Sequence, residues 1–307
     1  MSPIKNVAVF GATGTLGQIL LPALIAAGFT VTAITRPNSS ISIAHADVQI
    51  AVAAYDDVIA VTAALQGQDA VIEAFNPSAA AYQSIIVQAA IKAGVARIIT
   101  PDFSSDTFSP YVDEVLIFGP KRKAQQELEL QAKNSAGALT WTAIIVGGWY
   151  DWGIQHGVFW INKTDRTITR FGSGNQKYAI SRLEFVGKAV VEVLSNPEKY
   201  ENRPAYFASH TVTTNQLIEL VKEVGGEDWK IIDMSLDGFI DHGRQLWEQD
   251  TANGVENRMV TQAYAMLGTA ALFDEGNRYN GDFGDKIERG WDEGEDVLKD
   301  NLRRLLN

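Results

Sequence analysis

The sequence predicts an α/β fold in which a doubly wound, parallel sheet is built from the first half of the chain. Two observations support this prediction. Short apolar runs rich in β-branched residues alternate with helical segments between residues 7 and 146. A glycine-rich segment joins the first of these strands to the first helix. Repeated strand–helix units of this length imply parallel strands with right-handed crossovers.

Six strands and four helices are predicted in this half, in chain order. Pro22 lies inside the first helix, where we expect a local kink because proline removes one helical hydrogen bond. Gly28 and Gly94 suit the C-terminal caps of two helices. Residues 103–118 show neither the helical nor the strand periodicity of apolar residues, and a loop of that length is usually functional or mobile. The predicted strands cover residues 7–10, 30–35, 48–53, 69–75, 96–100 and 139–146, and the helices end near residues 27, 65, 93 and 133.

The composition of the chain excludes several classes of protein and of functional site. The chain has 307 residues, of which 46% are hydrophobic and 21% charged, as in a globular protein with a core. It contains no cysteine, so disulfides, thiolate metal sites and cysteine nucleophiles are excluded. The net charge is −11 and no basic surface is evident, so we do not expect nucleic-acid binding. The longest apolar run, residues 19–31, is too short to span a membrane, and no signal peptide is evident, so we expect a cytoplasmic protein.

The segment Gly11-Ala-Thr-Gly14-Thr-Leu-Gly17 has the spacing of a dinucleotide-binding turn. Glycine permits a tight turn, lets the backbone approach a pyrophosphate, and lets the helix pack close to the sheet. The helix N-terminus then presents free N–H groups to the phosphates. The alternative is a glycine-rich turn without a ligand, but its position between strand and helix favours a Rossmann-type cofactor site. The residues predicted to bind the cofactor here are Gly11, Thr13, Gly14, Thr15, Leu16 and Gly17.

Arg36, at the end of the second strand, indicates which cofactor is bound. NAD sites usually place an acidic residue there, but no acidic residue occurs between Gly17 and Asp47. Because an arginine can pair with a 2′-phosphate, we predict NADP(H). The alternative is a solvated arginine after a strand. The residues at positions 38–40, Asn-Ser-Ser, are able to donate hydrogen bonds to a phosphate or to form a turn.

The pattern changes after residue 146. Helices are predicted at residues 184–194 and 214–224, and the chain is acidic and mostly helical from residue 233 onward. We therefore predict an NADP(H)-binding Rossmann domain at residues 1–147 and a smaller substrate-binding region at residues 148–307, which packs on the first domain and returns to it in part.

Several familiar catalytic patterns are missing. No tyrosine has a lysine four residues later, as a classical short-chain dehydrogenase requires on one helix face. The four histidines show no paired spacing, so no metal site is expected. Neither a Gly-x-Ser-x-Gly elbow nor a P-loop lysine pattern is found.

Three segments together resemble the NmrA-like and isoflavone reductase-like group of atypical short-chain dehydrogenases/reductases. They are the glycine turn with Arg36, residues 83–103, and residues 183–202, and the resemblance extends over about residues 4–230. It implies one of two functions. Isoflavone reductase-like members, which include phenylcoumaran benzylic ether and pinoresinol reductases, are NADPH-dependent reductases of aromatic substrates, whereas NmrA is a dinucleotide-binding regulator without turnover. The plant reductases carry Pro-Ser-Glu-Phe-Gly where this chain has Pro101-Asp-Phe-Ser-Ser105, which argues against their substrates.

The resemblance also implies an acid–base residue. In the reductases, a lysine at the start of the helix after the strand-five loop has this role, and Lys121 lies at the matching position. Lys123 is the next candidate, and the alternative is that both are ordinary solvated lysines. A lysine near a helix N-terminus opposes the helix dipole, which should lower its pKa as acid–base use requires.

Aromatic residues that follow the sixth strand are candidates for a substrate pocket, because ligands of doubly wound folds bind at the carboxyl edge of the sheet. The alternative is that these aromatic residues form a hydrophobic seam that joins two domains. The predicted pocket residues are Trp149, Tyr150 and Trp152 from this segment, together with Phe103, which follows the fifth strand. The sequence thus predicts an NADPH-dependent reductase of a small, aromatic or carbonyl-conjugated substrate, with an NADP(H)-binding redox sensor as the alternative; its oligomeric state stays open.

Overall fold

The computed structural model describes residues 3–37, 39 and 45–306. The strands are β1 (Asn6–Phe10), β2 (Thr30–Thr35), β3 (Val48–Val52), β4 (Ala70–Glu73), β5 (Arg97–Ile99), β6 (Thr140–Ile145), β7 (Gly148–Trp149), β8 (Ile161–Asn162), β9 (Thr167–Phe171), β10 (Lys177–Ser181), β11 (Arg203–Tyr206), β12 (His210–Thr213) and β13 (Lys230–Met234). The helices are α1 (Thr15–Ala26), α2 (Val58–Ala64), α3 (Gln83–Ala93), α4 (Gly119–Asn134), α5 (Tyr150–His156), α6 (Leu183–Ser195), α7 (Thr214–Gly225), α8 (Phe239–Ala252), α9 (Gln262–Phe273) and α10 (Glu295–Leu306).

A seven-stranded sheet in the order β11-β6-β5-β4-β1-β2-β3 confirms the predicted fold class. The neighbouring pairs from β6 to β3 are all parallel. From β1 the chain builds outward through β2 and β3 on one side, and from β4 through β5 and β6 on the other. The order therefore reverses between β1 and β4, and ligands of such sheets bind at the carboxyl ends of the strands beside this switch point.

The central strands form because they are apolar on both faces. The last four residues of β1 and all of β4 are buried, as expected of parallel strands covered by helices. Helix α1 continues through Pro22 and buries Leu20 and Leu24. Gly187 of α6 lets that helix approach α1, since a Cβ there would lie 3.1 Å from the Cβ of Ala23.

The chain forms two compact units. The first comprises Met1–Phe103, Pro120–Ile144 and Leu183–Ala205, and the second Ser104–Gly119, Ile145–Arg182 and Tyr206–Asn307. The sequence predicted a boundary after residue 147 with a partial return of the chain to the first domain; here α6 packs on α1 and β11 adds to the central sheet beside β6, so residues 183–205 belong to the first unit. Ser104–Gly119, by contrast, belongs to the second unit.

The second unit contains two three-stranded sheets, β12-β10-β7 and β13-β9-β8. One core cluster of this unit includes Trp160, Phe171, Tyr178 and Phe273. The rings of Trp160, Tyr178 and Phe273 contact one another edge-to-face, and Phe171 stacks on Phe273. Over the described residues, no helix has both the length and the apolar composition needed to cross a membrane.

The predicted loop at residues 103–118 contains two short 3₁₀ turns, Val112–Glu114 and Leu116–Phe118. Apolar side chains of this segment, including Val115 and Ile117, pack against Leu267 of α9. The segment is therefore anchored by a buried apolar face within the second unit.

Asp106 supplies a polar anchor for the same segment, which leads to a prediction about stability. Its buried carboxylate accepts hydrogen bonds from Tyr206 Oη (3.3 Å), Asn280 Nδ2 (2.9 Å) and Lys286 Nζ (3.2 Å). Asp106→Ala would leave these donors without their acceptor, so we expect the free energy of unfolding to fall by about 1–3 kcal/mol. Chemical denaturation followed by circular dichroism measures the change. The exposed Asp113, changed to alanine, is the control, and an equal effect of the two changes would show that Asp106 is no anchor.

Candidate functional site

The turn between β1 and α1 requires glycine at two positions. Gly11 has φ +74°, and a Cβ there would lie 2.3 Å from the carbonyl oxygen of Ala74, just beyond β4. A Cβ on Gly17 would lie 2.3 Å from the carbonyl oxygen of Gly11. Any larger residue at either position would push the turn away from the sheet, so these glycines hold the start of α1 close to the switch point.

Gly14 is exposed and caps the N-terminus of α1, and its N–H donates to Gly11 O (3.0 Å). No described side chain caps this helix, and no acidic residue lies in its first turn. The helix start thus presents backbone N–H groups and the positive end of its dipole to an anion. Thr15 is exposed and Thr13 is half-buried. Leu16 is buried, so only its backbone N–H suits a cofactor contact.

Arg36 follows β2 with an exposed side chain, and its guanidinium carbon lies 6.0 Å from the ring centroid of Tyr55. Tyr55, which the sequence analysis missed, donates its hydroxyl to a backbone carbonyl of β2 (2.7 Å). Burial raises the pKa of Tyr55, so the hydroxyl keeps its proton. Of the three polar residues that follow, Ser39 is exposed, and Asn38 and Ser40 lie outside the described residues.

Lys121 and Lys123 differ sharply in their surroundings. Lys121, in the first turn of α4, is 7% exposed, and its Nζ donates to the backbone carbonyl of Asp102 (2.8 Å). Burial lowers the pKa of Lys121, and the nearby Asp102 opposes this effect. The side chain of Lys123 is 80% exposed and lies 4.0 Å from Glu127. Of the two lysines, the buried one therefore fits proton transfer better.

A strained turn after β5 positions the carbonyl that contacts Lys121. Phe103 has φ +35°, a backbone conformation that a bulky aromatic residue rarely adopts, and its side chain is buried. Thr100 Oγ1 donates a hydrogen bond to Asp102 Oδ2 (2.6 Å), and this bond fixes Asp102, the residue before Phe103. Residues held in such conformations cluster at functional sites.

Glu73, the last residue of β4, is a second site feature that the sequence analysis missed. Its side chain is completely buried and accepts a hydrogen bond from Gln83 Nε2. Burial raises its pKa to about 8; the Gln83 bond opposes this shift and the charge of Asp102 adds to it. A lone charged residue at the end of an otherwise apolar strand was the signal that would have found it.

The predicted aromatic pocket residues of the second unit occupy different environments. Tyr150 is buried in the core of this unit and accepts a hydrogen bond from Asn301 Nδ2 (3.1 Å). Trp149 and Trp152 are half-buried, with ring centroids 6.5 Å apart and edge-to-face. Trp152 also stacks on His156, at 4.5 Å between centroids. The two tryptophans are thus more available to a ligand than Tyr150.

Histidine, aspartate and glutamate are the metal-ligating side chains that this cysteine-free chain offers. Across residues 3–37, 39 and 45–306, no group of three or more of them is arranged to hold a metal ion.

A doubly wound sheet with a glycine turn at its switch point defines the Rossmann-type class of α/β proteins. Within this class, the chain belongs to the NmrA-like family, whose model matches residues 3–239. The resemblance seen in the sequence is therefore confirmed.

Two curated fungal relatives are named oxidoreductases. The chain is 30% identical over 256 residues to oxidoreductase poxI of Penicillium oxalicum, which covers 82% of this chain and 80% of the relative. It is 29% identical over 227 residues to oxidoreductase aprR of Aspergillus flavus, which covers 74% of this chain and 76% of the relative.

Solved structures share the fold across nearly the whole chain. The leucoanthocyanidin reductase of Vitis vinifera in complex with NADPH superposes with a TM-score of 0.75 and 16% identity, and covers 98% of this chain and 99% of its own. AtPrR2, solved with NADP+ and (+)-pinoresinol, has a TM-score of 0.74 and 17% identity, with 99% of both chains covered. At these identities the likeness establishes a common fold.

Proposed function

We propose that this protein is an NADPH-dependent reductase of a small aromatic or carbonyl-conjugated substrate, in which Lys121 is the acid–base residue. One observation carries the proposal most strongly. A buried lysine, hydrogen-bonded to a strained turn after β5, belongs to the same unit as a glycine turn at the switch point of the sheet. The names of the two fungal relatives support an oxidoreductase activity.

The residues present fit a phosphorylated dinucleotide. The start of α1 offers uncapped N–H groups for a pyrophosphate, and Gly11 and Gly17 keep the space that a Cβ would fill. Arg36, exposed at the end of β2, would pair with the 2′-phosphate of NADP(H). When bound, NADPH supplies the hydride for the reduction.

Lys121 would supply the proton that accompanies the hydride. Its Nζ is held by the Asp102 carbonyl, and burial favours the neutral amine. A lysine of lowered pKa exchanges a proton more readily near neutral pH than a solvated lysine does. The proton would pass from Nζ to a substrate oxygen, and the amine would regain it from solvent.

A second candidate function is a redox sensor that binds NADP(H) and a protein partner without turnover. One observation favours it: Ile50 and Val52, on the edge strand β3, are 58% and 63% exposed. Exposed apolar side chains on an edge strand suit a protein contact. Consumption of NADPH distinguishes the two candidates, since the sensor would bind the cofactor and leave it unchanged.

The cofactor preference gives a direct test of the role of Arg36. A charge-assisted hydrogen bond contributes about 1.5–3 kcal/mol, so we expect the wild type to bind NADPH at least about tenfold more tightly than NADH. Arg36→Asp should abolish this preference. Calorimetric titration with both cofactors measures it, and Arg289→Asp, the same charge change at an exposed arginine of the second unit, is the control. Equal affinities of the wild type for the two cofactors would contradict the assignment.

A further inference from the structure

Glu73 is a buried acid that the proposed reaction does not yet use. It ends β4 beside Phe10 of β1, at the carboxyl edge of the sheet. Gln83, the first residue of α3, contacts its carboxyl group, and Asp102 after β5 acts on it electrostatically. Asp102 in turn holds Lys121 from α4 through its backbone carbonyl. Glu73, Asp102 and Lys121 thus form one connected set within the first unit.

Two buried oxygens without a hydrogen-bond partner among the described residues point to the protonated form of Glu73. Gln83 Nε2 donates to Glu73 Oε2, while the buried atoms Glu73 Oε1 and Gln83 Oε1 have no hydrogen-bond partner within the described part of the chain. A carboxylate cannot donate to an amide oxygen, but a protonated carboxyl can. A single proton on Glu73 Oε1 would allow an acid–amide pair with Gln83, in which each group donates and accepts once.

Stability alone does not account for this residue. A buried polar atom without a partner is costly, and an apolar side chain would avoid that cost at the end of an otherwise apolar strand. The raised pKa of Glu73, about 8 and due mainly to burial, agrees with a neutral acid at neutral pH. A group that is neutral at pH 7 and ionises slightly above it is suited to act on a neighbouring charge.

We propose that Glu73, kept neutral by its burial and paired with Gln83, is a positioning residue whose ionisation adds to the charge of Asp102 and so sets the protonation state of Lys121. This inference rests on the proposed function, because it assigns Lys121 the proton transfer. While Glu73 is neutral, the negative charge of Asp102 alone favours protonated Lys121. When Glu73 ionises, a second negative charge favours the protonated lysine further, so the lysine stays an acid to higher pH.

The kinetic test compares the wild type with Glu73→Gln, which keeps the size and polarity of the side chain but cannot ionise. We expect equal kcat/KM at pH 6 and an alkaline limb that moves to lower pH in the variant, by up to about one pH unit. A change that only perturbed packing would lower kcat/KM at every pH without moving the limb. Coincident pH profiles would overturn the positioning role.

The matched control is Glu129→Gln. Glu129 also faces a glutamine amide, since its Oε1 accepts from Gln125 Nε2 (3.0 Å), but its side chain is exposed on α4. This variant should keep the wild-type pH profile. An equal movement of the limb in Glu129→Gln would mean that the effect is not specific to the buried acid, and would overturn the proposal.

A second measurement tests the protonation of Glu73 without any substrate. Its pKa is about 8 when folded and near the usual 4.5 when unfolded, so between these values the folded chain holds a proton that the unfolded chain has lost. The stability of the wild type relative to Glu73→Gln should therefore fall as pH rises from about 4.5 to about 8, and then level off.

A stability difference that does not change with pH would show that Glu73 is ionised and would overturn the proposal. A sloped difference with an unmoved kinetic limb would overturn the positioning role alone. Failure of Lys121 as the acid–base residue would leave the slope intact, so the two failures are distinguishable.

Discussion

Replacement of Lys121 by alanine is expected to lower turnover by about 10²–10⁴-fold, the usual contribution of a general acid–base group, while NADPH affinity stays nearly unchanged. The physical reason is that Lys121 combines burial with a fixed Nζ position at the Asp102 carbonyl. Steady-state kinetics with a substrate identified by screening measures the loss, and fluorescence titration measures cofactor affinity.

Two further variants separate chemistry from packing. Lys121→Met keeps the apolar stem of the buried side chain and removes the amine, so it should lose turnover as alanine does without leaving a cavity. Lys123→Ala removes an exposed lysine two residues away and should turn over nearly as the wild type does. Normal turnover of both Lys121 variants would remove lysine from the mechanism and strengthen the redox-sensor alternative.

Replacement of Gly14 by valine is expected to weaken NADPH binding by at least about a hundredfold, which corresponds to about 2.7 kcal/mol, without unfolding the protein. A Cβ at Gly14 would approach no described atom except Gly11 O, at 3.3 Å, and the position is exposed. The fold therefore tolerates the side chain, while its bulk occupies the start of α1, where a phosphate would approach.

Comparison with a neighbouring glycine makes this prediction specific. Gly17→Val places its Cβ 2.3 Å from the Gly11 carbonyl oxygen, so it should lower the melting temperature as well as the affinity. Circular dichroism and NADPH fluorescence titration distinguish the two variants. Undiminished binding by folded Gly14→Val would refute the phosphate-binding role of the turn.

The central sheet could be predicted from the sequence because its strands are short apolar runs between strong helix signals. The second strand, for example, is found at Thr30–Thr35, as its β-branched residues indicate. The two small sheets of the second unit were not predicted, since strands such as Gly148–Trp149 are too short to show a period. The strand Arg203–Tyr206 was also missed, because Pro204 interrupts its pattern, and proline is tolerated there at a sheet edge.

The candidate site was only partly accessible to sequence analysis. The glycine turn carries a local signal, and the resemblance to a family singles out Lys121. Glu73 carries only a weak local signal, a charge at the end of an apolar strand, and Tyr55 carries none, because its burial and its hydrogen bond to Ile34 depend on a segment distant in sequence. The contrast between Lys121 and Lys123 likewise becomes visible only once α4 is packed, which buries one lysine and exposes the other.

The central claim is that this NmrA-like protein turns over NADPH, and the most direct test is a cofactor-consumption screen across quinones, enones and phenylpropanoids. The loss of reduced-nicotinamide absorbance is followed with purified wild-type protein and with Lys121→Met as the control. We expect at least one compound to be reduced by the wild type and to be spared by the variant. Tight binding of NADPH with no consumption across all three classes would contradict the reductase and favour the sensor.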